Sequence, residues 1–337
     1  MNQGINLAVV GATGLVGEAI VEILEQKELP LEGITLLDSE EGVGTTLQFN
    51  DKSFRVESVS DFDFSDVQIA LFSGSDELSE EYAQIAADQG CIVVDCSRAF
   101  SEEYDVPMVV ATVNPEQISE YSSRGIISTP SPASVPLLTA IAPIHRQAAI
   151  KRINVATYQA VSSAGKPGVE ELAGQTARLL NGQTPESSVF DKQIAFNALP
   201  VVGSLLENGY SSEEMNLVMS VQKVLGNDGL MVNPTCVQVP VFFGYGEAVH
   251  IECWDPISAE EVKELFSYNQ GIQLIEEGEC ATAVTDAAKN DDVFISRIRE
   301  DISCENALDL WLVADNVKQS VALNCVQIAE VLVNQYL

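Results

Sequence analysis

The run Gly11-Ala-Thr-Gly14-Leu-Val-Gly17 constrains this chain more than any other stretch. It lies between a short apolar run, Leu7-Ala-Val-Val10, and a segment from Glu18 to Gln26 whose Ala19, Ile20, Ile23 and Leu24 share one helical face. A dinucleotide-binding turn requires this order of strand, spaced glycines and helix. The first glycine permits the tight turn, and the second lets a pyrophosphate approach the backbone. The third lets the helix pack on the strand with its N-terminus towards the phosphates. Spaced glycines alone are a weak signal, and the strand–turn–helix setting is what gives them weight. Gly11, Thr13, Gly14, Leu15 and Val16 are therefore candidate cofactor contacts. The competing reading is a fold-forming turn that binds nothing.

Strands and helices alternate after this unit. Ile34 to Leu37, Val67 to Phe72, Cys91 to Asp95, Met108 to Val110 and Ile126-Ile127 read as buried strands, and Phe49 to Val59 as a hairpin. Such alternation implies a parallel, doubly wound sheet. Asp38 ends the second strand about 20 residues past the glycines, where an NAD-binding fold places a carboxylate on the ribose 2′-hydroxyl. Glu40 and Glu41 follow it and would repel a 2′-phosphate, so NAD is favoured over NADP. Ser73, after the third strand, is a further candidate cofactor contact.

The pattern changes near residue 150. Ile153 to Val161 alternates like a half-buried antiparallel strand. Helices are expected from about Ala133 to His145, after Ser162-Ser-Ala-Gly165 and from Glu213 to Leu225. Ser258-Ala-Glu-Glu261 has the form of a capping box opening another helix. Val237 to Phe243, Ala248 to Cys253, Val293 to Arg299 and Leu308 to Ala314 read as strands, and Asn316 to the C-terminus as a helix.

Composition excludes several function classes. There are 17 Lys+Arg against 50 Asp+Glu, a net charge of −33, so nucleic acid and anionic membrane surfaces are poor partners. No run of 18 apolar residues and no basic-then-apolar leader is present, so the expected compartment is the cytoplasm. The seven cysteines have no close metal-ligand spacing, and the histidines are His145 and His250, so no metal is expected.

Segments spread over the whole chain resemble the aspartate-semialdehyde dehydrogenase family. They are Val9 to Gly17, Tyr158 to Ser162 with Ala164-Gly165, Ile194 to Pro200, Thr235-Cys-Val with Val239-Pro-Val241, and Asp315-Asn with Asn324 and Val326 to Glu330. The resemblance implies an α/β Rossmann-type parallel-sheet domain over residues 1–130, completed by a C-terminal helix over 316–337. It implies an α+β dimerisation domain with a large antiparallel or mixed sheet over residues 131–315. Asn324 joins the candidate cofactor contacts on the same ground. The family's chemistry is the NADP- and phosphate-dependent interconversion of aspartyl phosphate and aspartate semialdehyde. It uses a cysteine nucleophile, a histidine acid–base group and an arginine that clamps the substrate carboxylate.

At the matching positions this chain departs from the pattern. The cysteine is replaced by Pro132 in Pro130-Ser-Pro-Ala133, the arginine by Gln238 and the histidine by Tyr245. A phosphate-binding arginine falls at Ser101 and a lysine at Asn216, while Gln159, Glu213, Asn114, Asn197 and Asn324 match. No cysteine lies between Cys96 and Cys236, so no shift of alignment restores the nucleophile. Ser131 and Ser134 lack a histidine nearby in sequence to activate them. Pro132, Gln159, Gln238 and Tyr245 thus mark a vestigial site. The favoured reading is a homodimeric, catalytically inactive paralogue acting by binding or regulation. The alternative is an active NAD(P)-dependent oxidoreductase on aspartate semialdehyde or another small acyl or aldehyde substrate, with Tyr245 or Glu247 as acid–base group. A heterodimer with an active family member is a further possibility.

Overall fold

The structure is a computed structural model that describes residues 4–337. The chain divides into two compact units, Met1–Ser131 with Val321–Leu337, and Pro132–Ser320.

The first unit opens with β1 (Ile5–Val10), α1 (Leu15–Gln26), β2 (Leu31–Asp38), β3 (Thr46–Phe49), β4 (Lys52–Arg55) and β5 (Glu57–Ser58). It continues through β6 (Ile69–Phe72), α2 (Asp76–Asp88), β7 (Ile92–Asp95) and β8 (Ile126–Ser128), and ends in the C-terminal helix Asn324–Gln335. The six-stranded sheet has the order β5-β2-β1-β6-β7-β8, with every pair parallel. Its central strands are apolar at successive positions because both faces are covered. Leu7, Val9, Ile69 and Leu71 face Ile20, Ile23 and Leu24 of α1 and Ile328, Ala329 and Leu332 of the C-terminal helix. Ala8, Val10, Ala70 and Phe72 face the other way, with Ala83 and Ala86 of α2. Each large aliphatic side chain so buried contributes about 1.5–3 kcal/mol.

Two expectations are corrected here. Met108 to Val110 is not a strand: Met108 makes a single bridge to Ser128, and Pro107, which lacks an N–H, precedes it. The hairpin is β3–β4, closed by Asn50 and Asp51 at φ of 49° and 61°, a left-handed pair that these two residue types tolerate.

The second unit runs α3 (Ser134–Ala148), β9 (Ile150–Gln159), α4 (Gly165–Leu180), α5 (Ser212–Leu225), β10 (Met231–Gln238) and β11 (Tyr245–Cys253). It closes with α6 (Ala259–Ser267), β12 (Ile272–Leu274), β13 (Val293–Glu300) and β14 (Ala307–Ala314). Its sheet has the order β10-β9-β11-β14-β13-β12 and is mixed: β9 pairs antiparallel with β11 and parallel with β10. The strand expected over Val237 to Phe243 ends at Gln238, because Pro240 interrupts the donor row that a ladder needs. Pro234 is tolerated within β10 because that strand is an edge. Both Ser258 with Glu261 and Ser211 with Glu214 form capping boxes. Residues 316–320, expected to begin the C-terminal helix, belong to the second unit, where Asn316 accepts hydrogen bonds from Gly244 N (2.9 Å) and Ser162 Oγ (3.1 Å).

Candidate functional site

In the first unit the glycine turn is built by steric exclusion. Gly11 has φ of +81°, and a Cβ there would stand 2.5 Å from Gly74 N. A Cβ on Gly17 would stand 2.2 Å from Gly11 O, so the third glycine sets how closely α1 approaches the turn. Gly17→Ala is expected to destabilise the chain by about 1–3 kcal/mol through overpacking, read as a lower urea midpoint. Gly14 differs: a Cβ there would meet only Gly11 O, at 3.4 Å. The protein itself does not use the space that Gly14 leaves. Gly14 is also the N-cap of α1 and no side chain caps that turn. The first-turn amides, which include those of Leu15 and Val16, thus meet the requirements of a phosphate-binding helix N-terminus.

The other candidate contacts brace this turn. Asp38 Oδ2 accepts from Thr13 N (2.8 Å) and Thr13 Oγ1 (2.7 Å), and Oδ1 accepts from Ser39 N (2.8 Å). Ser73 Oγ donates to Val10 O (2.9 Å). Asn324 accepts from Ala111 N (2.8 Å) and donates to Val109 O (3.1 Å), tying the C-terminal helix to the 109–111 segment. Ser101 is buried and donates to Arg98 O (2.8 Å). Glu40 and Glu41 are exposed beside Asp38, and the Arg55 guanidinium lies near Gly44 in the segment that follows.

In the second unit three of the positions singled out from the sequence, Gln159, Gln238 and Tyr245, gather at one end of the sheet. Gln159 and Gln238 end β9 and β10 and face each other in parallel register, and Tyr245 begins β11. Gln238 Nε2 donates to Gln159 O (2.8 Å), and Ser163 Oγ donates to Gln238 Oε1 (3.3 Å). Sequence reasoning noted the turn that holds Ser163 and missed its contact with Gln238, which long-range packing creates. Gln159 Nε2 donates to Thr157 Oγ1 (3.2 Å). Pro132 lies half-buried in the turn before α3, the helix that packs against α5 and β11.

The titratable groups here are poorly suited to proton transfer at neutral pH. Burial, then the charge of Glu213, pushes the Tyr245 phenol far above its ordinary value. Burial pushes the Cys236 thiol up to about 12, so it is not a thiolate nucleophile. Glu247, 1% exposed, has no hydrogen-bond partner on either oxygen, and burial raises its pKa well above the usual carboxylate range. Asn216, in the lysine position, has a buried amide nitrogen without a partner. His145 lies in the last turn of α3 and accepts from Ile150 N (3.0 Å). His250 projects among carboxylates further along β11, an assembly that sequence spacing does not show.

Residues 6–121 match the family model described as semialdehyde dehydrogenase, NAD binding domain, and residues 141–319 match semialdehyde dehydrogenase, dimerisation domain. The chain is 48% identical over 336 residues to a Vibrio cholerae protein named aspartate-semialdehyde dehydrogenase 2, with 100% of both covered. It is 46% identical over 337 residues to aspartate-semialdehyde dehydrogenase of Shewanella violacea, again with 100% of both covered. The crystal structure of Vibrio cholerae aspartate semialdehyde dehydrogenase II complexed with ASA superposes with a TM-score of 0.98, at 48% identity, covering 99% of this chain and 100% of that one. The Candida albicans enzyme with NADP, 20% identical, shares the fold with a TM-score of 0.77, covering 98% of each chain. A dinucleotide-binding turn and a mixed-sheet second unit, matched by relatives over the full length, place this chain in the aspartate-semialdehyde dehydrogenase family.

Proposed function

We propose that the chain is a homodimeric paralogue within this family that binds a nicotinamide dinucleotide and does not carry out thioester chemistry. The observation that carries this reading is Pro132 in the turn before α3, where the family resemblance places the nucleophile. Proline has no side-chain nucleophile, and the helix start that would acidify a thiol has none to act on. Gln238, held by Ser163, carries no charge to clamp a carboxylate, and the buried Tyr245 phenol, pushed far above its ordinary value, is no proton shuttle near pH 7. The open approach to Gly14 and the uncapped start of α1 support retained pyrophosphate binding. A bound dinucleotide would supply hydride-transfer capacity. The part played by this chain's residues is to hold its phosphates at the first-turn amides and its ribose near Asp38.

NAD is the preferred form. Asp38, Glu40 and Glu41 lie together at the end of β2, where a dinucleotide-binding fold expects the ribose, and the Coulomb cost of adding a 2′-phosphate there would fall on NADP alone. Titration is expected to show NAD binding at least about tenfold more tightly than NADP, and Glu41→Arg to narrow or reverse that preference. Equal affinities, unmoved by Glu41→Arg, would refute this assignment. The chemical proposal is tested separately, by intact-mass analysis after incubation with aspartate semialdehyde and dinucleotide. The Vibrio cholerae relative is expected to carry an acyl adduct and this chain none.

The second reading, an active NAD(P)-dependent oxidoreductase on a small aldehyde, is supported by the intact glycine turn and by 48% identity to a protein named as a dehydrogenase. Dinucleotide reduction by the purified chain with aspartate semialdehyde or other small aldehydes would favour it.

A further inference from the structure

We propose that His250, Asp301 and Asp309 form a binding site for a first-row divalent transition metal in the second unit. His250 lies on β11 and Asp309 opposite it on β14, in direct register. Asp301 follows the last residue of β13. One ligand atom from each lies within 4.8 Å of the others. His250 Nδ1 is 3.2 Å from Asp301 Oδ2 and 3.2 Å from Asp309 Oδ1. Four-coordinate metal bonds of about 2.0–2.1 Å require ligand atoms about 3.3 Å apart, close to these separations. A charge-assisted N–H···O bond, at about 2.7–2.9 Å, would be shorter. Hydrogen-bond geometry at His250 is met towards Asp309, while the attraction between His250 and Asp301 is coulombic.

The remaining oxygens are held from behind, as the outer partners of metal ligands are. Asp301 Oδ1 accepts from Ser303 N (2.6 Å) and Ser303 Oγ (2.7 Å). Asp309 Oδ2 faces Arg299 Nη2 at 3.4 Å. Asp301 also lines a cleft of about 660 Å³ with Glu261, Glu300 and Glu305, carboxylates that make the surroundings of this ligand favourable to a cation. One imidazole with two carboxylates suits zinc, manganese or iron(II) better than magnesium or calcium, and three protein ligands leave a coordination position open. One charge opposes the metal: the Arg299 guanidinium on Asp309. The metal would clip β11, β14 and the turn after β13 together.

The test is calorimetric titration of the full chain with zinc chloride at pH 7.5. The background carries Cys280→Ser and Cys304→Ser, so that these thiols supply no ligands. The expected result is one zinc per chain, with affinity reduced at least about tenfold in Asp301→Asn and in His250→Gln. Arg299→Gln removes the opposing charge at an exposed position and is expected to tighten zinc binding several-fold. It keeps the test readable if the Asp301 variant fails to fold. Cobalt(II) should give visible bands of a low-coordinate nitrogen–oxygen site without thiolate charge transfer. No zinc uptake, uptake unchanged by Asp301→Asn and His250→Gln, or no tightening by Arg299→Gln would overturn the proposal in favour of a histidine that only packs between two aspartates.

Discussion

With aspartate semialdehyde, phosphate and either dinucleotide, the purified chain is expected to turn over at least about 10⁴-fold more slowly than the Vibrio cholerae relative. The magnitude follows from the parts replaced. A positioned acid–base group contributes about 10²–10⁴, and a covalent nucleophile splits a step that otherwise has no low-barrier route. Pro132→Cys alone is expected to recover little. The new thiol would have a helix start to lower its pKa, but Tyr245 cannot shuttle its proton and Gln238 cannot clamp a carboxylate. The triple variant Pro132→Cys, Gln238→Arg, Tyr245→His should exceed each single variant by more than the product of their separate gains, because residues that act as a unit are non-additive. Steady-state dinucleotide reduction checks both statements. Wild-type turnover within tenfold of the relative would remove the inactive reading and point to a nucleophile outside the expected position.

Glu247→Leu is expected to stabilise the protein, and by an amount that grows with pH. Glu247 is buried, neither of its oxygens has a partner, and burial lifts its pKa well above the value near 4.3 of an unfolded glutamate. The sign follows from linkage. Below the unfolded pKa both states carry the proton and the group costs nothing through ionisation. As pH rises towards the folded pKa, the unfolded chain releases its proton while the folded chain keeps it, so stability falls by about 1.4 kcal/mol per pH unit. Leucine removes that dependence and the unmet hydrogen bonds together. The variant should therefore exceed wild type by about 2 kcal/mol or more at pH 8, and the gap should shrink towards pH 4. Urea unfolding of both proteins at equal chain concentration between pH 4 and 8 measures it. Other titrating groups are common to the two and cancel in the difference. A gap independent of pH, or a variant less stable at pH 8, would contradict a neutral Glu247.

Several features needed only local sequence. The spaced glycines at 11, 14 and 17 point to a particular turn, and at Gly17 the missing Cβ matters against Gly11 and Ala12, a few residues away, whereas at Gly11 it matters against Gly74, which only folding brings near. The apolar runs of β1, β6 and β7 report burial on both faces, which is a property of period and length. Ser258 and Glu261 cap α6 across three residues, and this too was legible. Pro132, Gln238 and Tyr245 were visible as departures from the family's pattern, and how their side chains pack was not.

Tertiary structure alone decided the rest. Ser163 and Gln238 are 75 residues apart, and only the packing of β9 beside β10 brings them into contact. Met108 to Val110 has the composition of a strand, but pairing depends on which donors a neighbour offers, and one bridge is all it makes. His250, Asp301 and Asp309 show no ligand spacing along the chain, because their convergence is a matter of strand register between β11 and β14 and of the turn that follows β13. Sequence determines local geometry through sterics and periodicity, which act over a few residues. Side-chain charge and hydrogen bonding at a site depend on which neighbours the sheet order selects, and that selection is made only when the whole chain packs.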